Sequence, residues 1–225
     1  MPAPELSFVS PNETVPSSAA LRPMLDPART ALLIIDAQVD FIAPDGAMAG
    51  AGMDMSAIPP TLDRVRALIA AARDAGATPV FIRVVTRDET DSDALLTLME
   101  RKGHGAQAAA ICRAGSRGAE FYGVTPEEGE MTVDKPLFSS FVGTTLDADL
   151  RAAGIDTLLV CGFTTDCCVE STVRDAFHRN FHVFVAADAC TAGSPDMHEG
   201  ALRGMAKNCA LLTDTATVLA SWQAY

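Results

Sequence analysis

Residues 157–190 read TLLVCGFTTDCCVESTVRDAFHRNFHVFVAADAC. The run Leu158-Leu159-Val160-Cys161 is apolar, too short for a helix and stopped by Gly162, so it predicts a buried strand. Phe163-Thr164-Thr165-Asp166 follows as a tight turn. Beyond it Val169, Thr172, Val173, Ala176 and Phe177 recur at helical spacing. Asn180 marks the end of that helix, and residues 182–187 make a second apolar strand. Strand, turn, helix and strand form a βαβ unit, which implies parallel strands and a right-handed crossover. The turn carries Cys167-Cys168 just outside the carboxyl end of the first strand, where open α/β sheets gather their chemistry.

The same alternation extends outward in both directions. Residues 145–153 read as a helix closed by Gly154, and residues 130–134 as a short strand running into Lys135-Pro136. Residues 102–129 contain six glycines and little apolar periodicity, and long irregular loops in compact domains are usually functional. Residues 94–101 are a short helix, 86–93 an acidic loop and 79–85 a strand. Pro59 and Pro60 precede an amphipathic helix with Leu62, Val65, Leu68 and Ile69 on one face, stopping at Gly76. Residues 31–35 form a continuous apolar run, the mark of a strand buried on both faces, which ends in Asp36. Residues 43–55 form a Gly- and Met-rich loop long enough to line a pocket. Downstream come a helix at 197–207, a strand at 210–212 and a helix at 215–222.

This pattern predicts an α/β fold: a doubly wound, mainly parallel six-stranded sheet with helices on both faces, Rossmann-like in its three layers. The domain is expected to span residues 30–225. Residues 1–29, rich in Pro, Ser and Asn and without periodicity, are expected to form an arm that packs on the domain or on a neighbouring subunit.

Composition narrows the functional classes. With 225 residues and 48% hydrophobic content the chain can bury one sizeable core. A net charge of −12 argues against nucleic acid and anionic membrane surfaces as partners. No apolar run approaches membrane-spanning length, and the first residues lack a secretion-signal layout, so a cytoplasmic location is expected. The six cysteines lie mostly in predicted strands and helices, which suits buried thiols and one or two reactive ones better than disulfides.

Three reactive residues stand at predicted strand ends: Asp36, Lys135 and one of the Cys167-Cys168 pair. A thiol at a helix start beside an ammonium ionises more readily. A neighbouring carboxylate can take its proton and later hand it to a leaving group. Amides of the turn can stabilise an oxyanion above the sulfur. Together they describe acyl transfer through a thioester. Each residue also has an ordinary reading: Asp36 as a cap, Lys135 as a solvated surface lysine, the cysteines as core. Spacing alone does not choose between the two vicinal sulfurs.

Three motifs add a resemblance. They are Asp36-x-Gln38-x-Asp40-Phe41, then Asp134-Lys135-Pro136-x-x-Ser139-x-Phe141-x-Gly143-Thr144-x-Leu146, and Gly162-x-Thr164-Thr165-x-x-Cys168-Val169-Glu170-Ser171-Thr172-x-Arg174-Asp175-Ala176. In this order they resemble the isochorismatase-like cysteine hydrolases, over residues 30–219. The resemblance implies Cys168 as nucleophile, Asp36 as general base and acid, and Lys135 as the group that stabilises the thiolate. It also implies a cis peptide between Phe163 and Thr164 and an oxyanion hole made by the amides of Thr164 and Cys168, with Cys167 left to packing. Members of the family often form homodimers or homotetramers.

Within that family, nicotinamidases carry Asp and His metal ligands after the second strand, whereas residues 83–91 here contain no histidine. No metal and no cofactor are therefore expected, and none of the four histidines has metal-ligand spacing. Isochorismatases proper cleave a vinyl ether and commonly lack the cysteine. The flanks Leu21-Arg22-Pro23 and Pro126-Glu127-Glu128-Gly129-Glu130 resemble biuret and ureidoacrylate amidohydrolases. The expectation is a metal-independent cysteine amidohydrolase acting on a small ureido, carbamoyl or primary amide; enol-ether hydrolysis without a covalent step is the alternative. Gln38, Phe41, Phe141 and Phe163 are expected to complete the substrate pocket; Arg83 and Arg87 have the chemistry to bind a substrate carboxylate bidentately, but their expected role is that of surface arginines.

Overall fold

Six strands, β1 (Thr30–Ile35), β2 (Thr78–Val84), β3 (Met131–Lys135), β4 (Thr157–Phe163), β5 (His182–Thr191) and β6 (Leu211–Thr213), pair in parallel throughout in the order β3-β2-β1-β4-β5-β6. The structure is a computed structural model that describes residues 6, 8–15, 17–105 and 110–223, with Pro11 described in its backbone alone. Residues 1–5, 7 and 16 of the expected arm, 106–109 of the long loop and 224–225 at the end of the expected domain lie outside the described residues. The doubly wound sheet expected from the sequence is the one observed.

Between the strands run α1 (Ser18–Leu21), α2 (Val39–Ile42), α3 (Ala47–Gly50), α4 (Ile58–Ala75), α5 (Asp93–Arg101), α6 (Leu146–Ala152), α7 (Glu170–His178), α8 (Pro195–Asn208) and α9 (Thr215–Trp222). The chain winds outward from β1 to β3, crosses back to β4 beside β1, and winds outward again to β6. Right-handed crossovers in opposite directions put the connecting helices on opposite faces. Thus α4 packs with α9 and the sheet, while α7 and α8 pack together on the other side of β5. The reversal between β1 and β4 opens a crevice at their carboxyl ends.

The pattern of burial explains the layers. Every residue of β1 and β4 is buried, as expected of central strands covered on both faces. Helix α4 buries Leu62, Val65, Leu68, Ile69 and Ala72 on one face. Pro59 and Pro60 lie inside its first turn rather than ahead of it, where amides have no intrahelical partner to lose. Gly76 closes the helix at φ 80°.

Strand β5 continues past Ala187, where its apolar run stops, to Thr191. Asp188 permits this because its Oδ1 accepts the Thr215 amide at 2.8 Å and hydroxyl at 2.9 Å, and its Oδ2 meets Arg64 at 3.2 Å. Gly162 is also required by position. It sits at φ 122°, and a Cβ there would lie 2.2 Å from the Ile35 carbonyl oxygen on the neighbouring strand.

The described part of the N-terminal segment packs on its own domain. Thr14 pairs in parallel with Leu212, and the Val15 amide donates to the Leu212 carbonyl at 2.9 Å, covering the outer edge of β6. Leu21 and Leu25 are fully buried, and Trp222 Nε1 donates to the Leu25 carbonyl at 2.9 Å. No helix among the described residues is long and apolar enough to cross a membrane.

Candidate active site

Three strand ends meet in the crevice. Asp36 follows β1 directly; its amide donates to Ile82 of β2 at 2.9 Å, and its backbone turns to φ 50°. That left-handed conformation is uncommon outside glycine, and Asp is among the residues that tolerate it best. The turn sends the Asp36 carboxylate into the crevice, fully buried.

Lys135 ends β3 and is also fully buried, against the ordinary expectation for a lysine before proline. Its Nζ donates to Asp36 Oδ2 at 2.8 Å and to the Leu137 carbonyl at 3.0 Å. The segment after it is latched to α7. Ser139 Oγ donates to Asp175 at 2.5 Å, Thr172 Oγ1 accepts the Ser140 amide at 3.1 Å, and the Ser140 and Thr172 hydroxyls lie 2.9 Å apart. The spaced Ser, Thr and Asp of the second and third motifs therefore fix the lysine-bearing segment to the cysteine-bearing helix.

Between β4 and α7 the chain makes a wide π-type turn, Thr165–Val169, instead of the tight turn expected from Phe163-Thr164-Thr165-Asp166. The Val169 amide reaches the Thr164 carbonyl and the Glu170 amide that of Thr165, each spanning five residues. The Thr164 carbonyl takes the amides of Cys167 and Val169 and passes over that of Cys168 between them. The Phe163–Thr164 peptide is cis. Thr165 Oγ1 and His198 Nδ1, 2.8 Å apart, tie the turn to α8.

Electrostatics couples these groups. Burial raises the Asp36 carboxyl above its ordinary range, with the Lys135 charge and the Cys168 thiol pulling it part of the way back. Burial works against the Lys135 ammonium, but Asp36 and Cys168 outweigh it, so its pKa stands above the usual value. The Cys168 thiol is pushed well up by its hydrogen bond to Cys167, by burial and by the Asp36 charge, while Cys167, receiving that hydrogen bond, moves down. Cys167 feels the charges of Asp36 and Lys135 as well, but Cys168 is the sulfur within hydrogen-bond reach of both side chains. The remaining cysteines are buried; burial pushes Cys190 up to about 12 and raises Cys112 and Cys161 as well.

Both vicinal cysteines line a cavity of about 360 Å³. Cys168, only 5% exposed, contributes to its wall together with Thr164, Asp166 and Cys167. Apolar side chains supply most of the rest, among them Phe41, Met48 and Met53 from the first loop, Leu95 and Met99 from α5, and Phe138 from the segment after Lys135.

A model of the isochorismatase domain matches residues 30–217. The chain belongs to the isochorismatase family. In sequence the ureidoacrylate amidohydrolase RutB of Methylobacterium radiotolerans is 34% identical over 205 residues, 85% of this chain and 79% of the relative. Among solved isochorismatase-like folds, a cysteine hydrolase from Pseudomonas syringae pv. phaseolicola superposes with a TM-score of 0.77 at 28% identity, covering 88% of this chain and 94% of that one. A pyrazinamidase of Pyrococcus horikoshii, solved with zinc, gives 0.67 at 27%, covering 83% and 99%.

The residues of this family member do not fit a metal after β2. Asp91 there is held bidentately by Arg113 at 2.8 and 2.6 Å, and Asp88 and Glu89 are exposed. Among the described residues no group of three or more His, Cys, Asp or Glu side chains is gathered for a metal ion.

Of the expected pocket residues, the structure brings Phe41 to the cavity and leaves three elsewhere. Gln38 is fully buried with its amide engaged by backbone: Oε1 accepts the Val84 amide at 2.8 Å, and Nε2 donates to the carbonyls of Val84 at 2.8 Å and Ala119 at 3.0 Å. It splices β2 to the long loop. Phe163 is core, and Phe141 stacks on Phe181 with ring centroids 5.9 Å apart. Arg83 pairs with Asp134 at 2.6 Å, and Arg87 is exposed and absent from the cavity wall. Sequence reasoning missed Phe138, Asp166 and His198. Phe138 and Asp166 lay within quoted motifs, whereas no local signal marks His198 as the partner of Thr165.

Proposed function

We propose that this protein is a cysteine amidohydrolase that cleaves the C–N bond of a small amide, ureido or carbamoyl substrate through a thioester. The observation that carries the reading is the meeting of Asp36, Lys135 and Cys168 at the ends of three separate strands, beside a cavity of small-molecule size. The amidohydrolase relatives support the reaction class.

The chemistry follows from the arrangement. Asp36, its basicity raised by burial, takes the proton of the Cys168 thiol as sulfur attacks the carbonyl carbon. Lys135, held cationic by Asp36, stabilises the anion that results. The carbonyl oxygen of the tetrahedral intermediate is met by the amides of Cys168 and Thr164. Asp36 returns its proton to the departing nitrogen, leaving a thioester on Cys168. The same carboxylate then deprotonates a water that attacks the thioester carbon, and the thiol regains the proton. No step uses a metal.

The test is a screen for ammonia release across ureido, carbamoyl and primary amides, repeated with thiol variants. Cys168→Ala and Cys168→Ser should lose turnover by at least ~10³-fold with an unchanged melting temperature. Cys167→Ala should keep most of it. Full activity in either Cys168 variant would end the covalent mechanism, and a dead Cys167→Ala beside a live Cys168→Ala would move the nucleophile to the neighbouring sulfur.

A further inference from the structure

We infer that the cavity selects uncharged amides and ureas whose non-reacting end is apolar, and that the Asp166 carboxylate turns anionic substrates away. The inference deepens the amidohydrolase reading and rests on it for the reaction, though not for what the cavity admits.

The cavity wall has two parts. Phe41, Met48, Met53, Leu95, Met99 and Phe138 give it an apolar body. Unbranched Met side chains adapt to alkyl or aryl groups of differing shape. Phe138 remains 38% exposed and carries the apolar surface out to the rim. The charged part is small. Asp166, the residue before the cysteine pair, lines the cavity with them, and its Oδ1 is buried without a hydrogen-bond partner among the described residues.

No Lys or Arg among the described residues balances it at the cavity wall; His198 of α8 lies within electrostatic reach of Asp166, but burial favours its neutral imidazole. Among the described residues no Lys, Arg or His side chain forms the cavity wall, and none of the residues outside the described set is basic. Lys135 is fully buried, with Asp36, Cys168 and the Leu137 carbonyl on its ammonium, at the reacting end of the site. The arginines of the neighbouring loop are committed elsewhere: Arg113 to Asp91, Arg117 to Asp45. A substrate of the acrylate kind would bring its own carboxylate into an apolar enclosure that already holds Asp166, with nothing to pair it. Burying an unpaired charge is costly, and a like charge beside it adds to that cost.

The experiment compares two alkylating probes with the same reactive group and nearly the same shape, N-butyl iodoacetamide and N-(3-carboxypropyl) iodoacetamide. In each, a sulfur–carbon bond forms as carbon–iodine breaks and iodide departs. Adducts at Cys168 and Cys167 are located by mass spectrometry, and each rate is divided by that of the same probe with a free cysteine derivative. The neutral probe should lead by about tenfold or more, equivalent to roughly 1.4 kcal/mol. Asp166→Asn should narrow the lead several-fold by admitting the anionic probe faster. Equal rates, or a faster anionic probe, would overturn the inference while leaving amide hydrolysis untouched. Failure of both probes to reach either sulfur would also overturn it, because the cavity would then not open to the thiols. A neutral-probe lead in a protein that releases ammonia from no amide would sink the reaction proposed above and leave the selectivity standing.

Discussion

Thr172→Val deletes one hydroxyl from a side chain of nearly unchanged shape, at a position with no exposure to solvent. In the native protein that oxygen accepts the Ser140 amide at 3.1 Å and lies 2.9 Å from the Ser140 hydroxyl, which is also fully buried. The variant therefore strands two polar groups away from water. Each such group costs about 1–3 kcal/mol, and local relaxation keeps the pair near ~2–4 kcal/mol. For a chain of this size that corresponds to a fall in melting temperature of roughly 4–16 °C. Ser140→Ala removes the hydroxyl but leaves the amide bonded, so its loss should be about 1 kcal/mol. Thr172→Ser keeps both contacts and drops a methyl, again about 1 kcal/mol. Urea titrations and thermal melts on the three variants give the ordering directly. Activity should follow stability with a further loss in kcat, since the latched segment holds the Leu137 carbonyl against the Lys135 ammonium. A Thr172→Val protein that melts within a degree or two of wild type, or less stable Ser140→Ala than Thr172→Val, would refute the idea that this latch joins the two halves of the site.

Lys135→Met leaves Asp36 buried and uncompensated and should cost about 3–5 kcal/mol in urea unfolding, whereas Lys135→Met combined with Asp36→Asn should recover part of it. A double variant no more stable than the single would contradict that account. Gly162→Ala places a Cβ 2.2 Å from the Ile35 carbonyl at φ 122°, and should lose more than about 4 kcal/mol or fail to accumulate as folded protein; a normal melting curve would be incompatible with the β1–β4 approach described. Burial lowers the pKa of His198 below its ordinary 6.5. Its neutral form is then favoured in the fold, so its contribution is complete above the unfolded value and is lost as pH falls through the folded one. Between about pH 7 and pH 5 the melting temperature should drop more in wild type than in His198→Asn, which keeps an acceptor for Thr165; parallel profiles would remove His198 from that role.

The strands and two of the three convergent groups were legible because their signals are local. A continuous apolar run ending in Asp36, and another ending in Gly162 ahead of the cysteine pair, state both the strand and the place where its side chains emerge. Lys135 was placed at a strand end by its position, but its complete burial depends on Asp36, ninety-nine residues away in sequence, and no local pattern encodes such a partner. The surroundings of Gln38 are non-local for a related reason. A glutamine after a strand can offer its amide to a substrate, and only the backbone of Val84 and Ala119 makes it an internal splice. Phe138 and Phe141 are three residues apart in one irregular segment without periodicity, so composition did not say which ring faces the cavity. The π-type turn escaped because its five-residue spacing depends on where Thr164 and Thr165 present their carbonyls, which residue types do not specify.

The similarity to the isochorismatase domain starts at residue 30, but the folding unit starts earlier. Leu21 and Leu25 are as inaccessible as the central strands, and Thr14 with Val15 supplies the last rung beside Leu212. A shortened protein cut at residue 30 would strip the Leu212 carbonyl of its donor and bare an oily socket around Trp222, an invitation to self-association. For this chain, the family match and the buried packing begin at different residues.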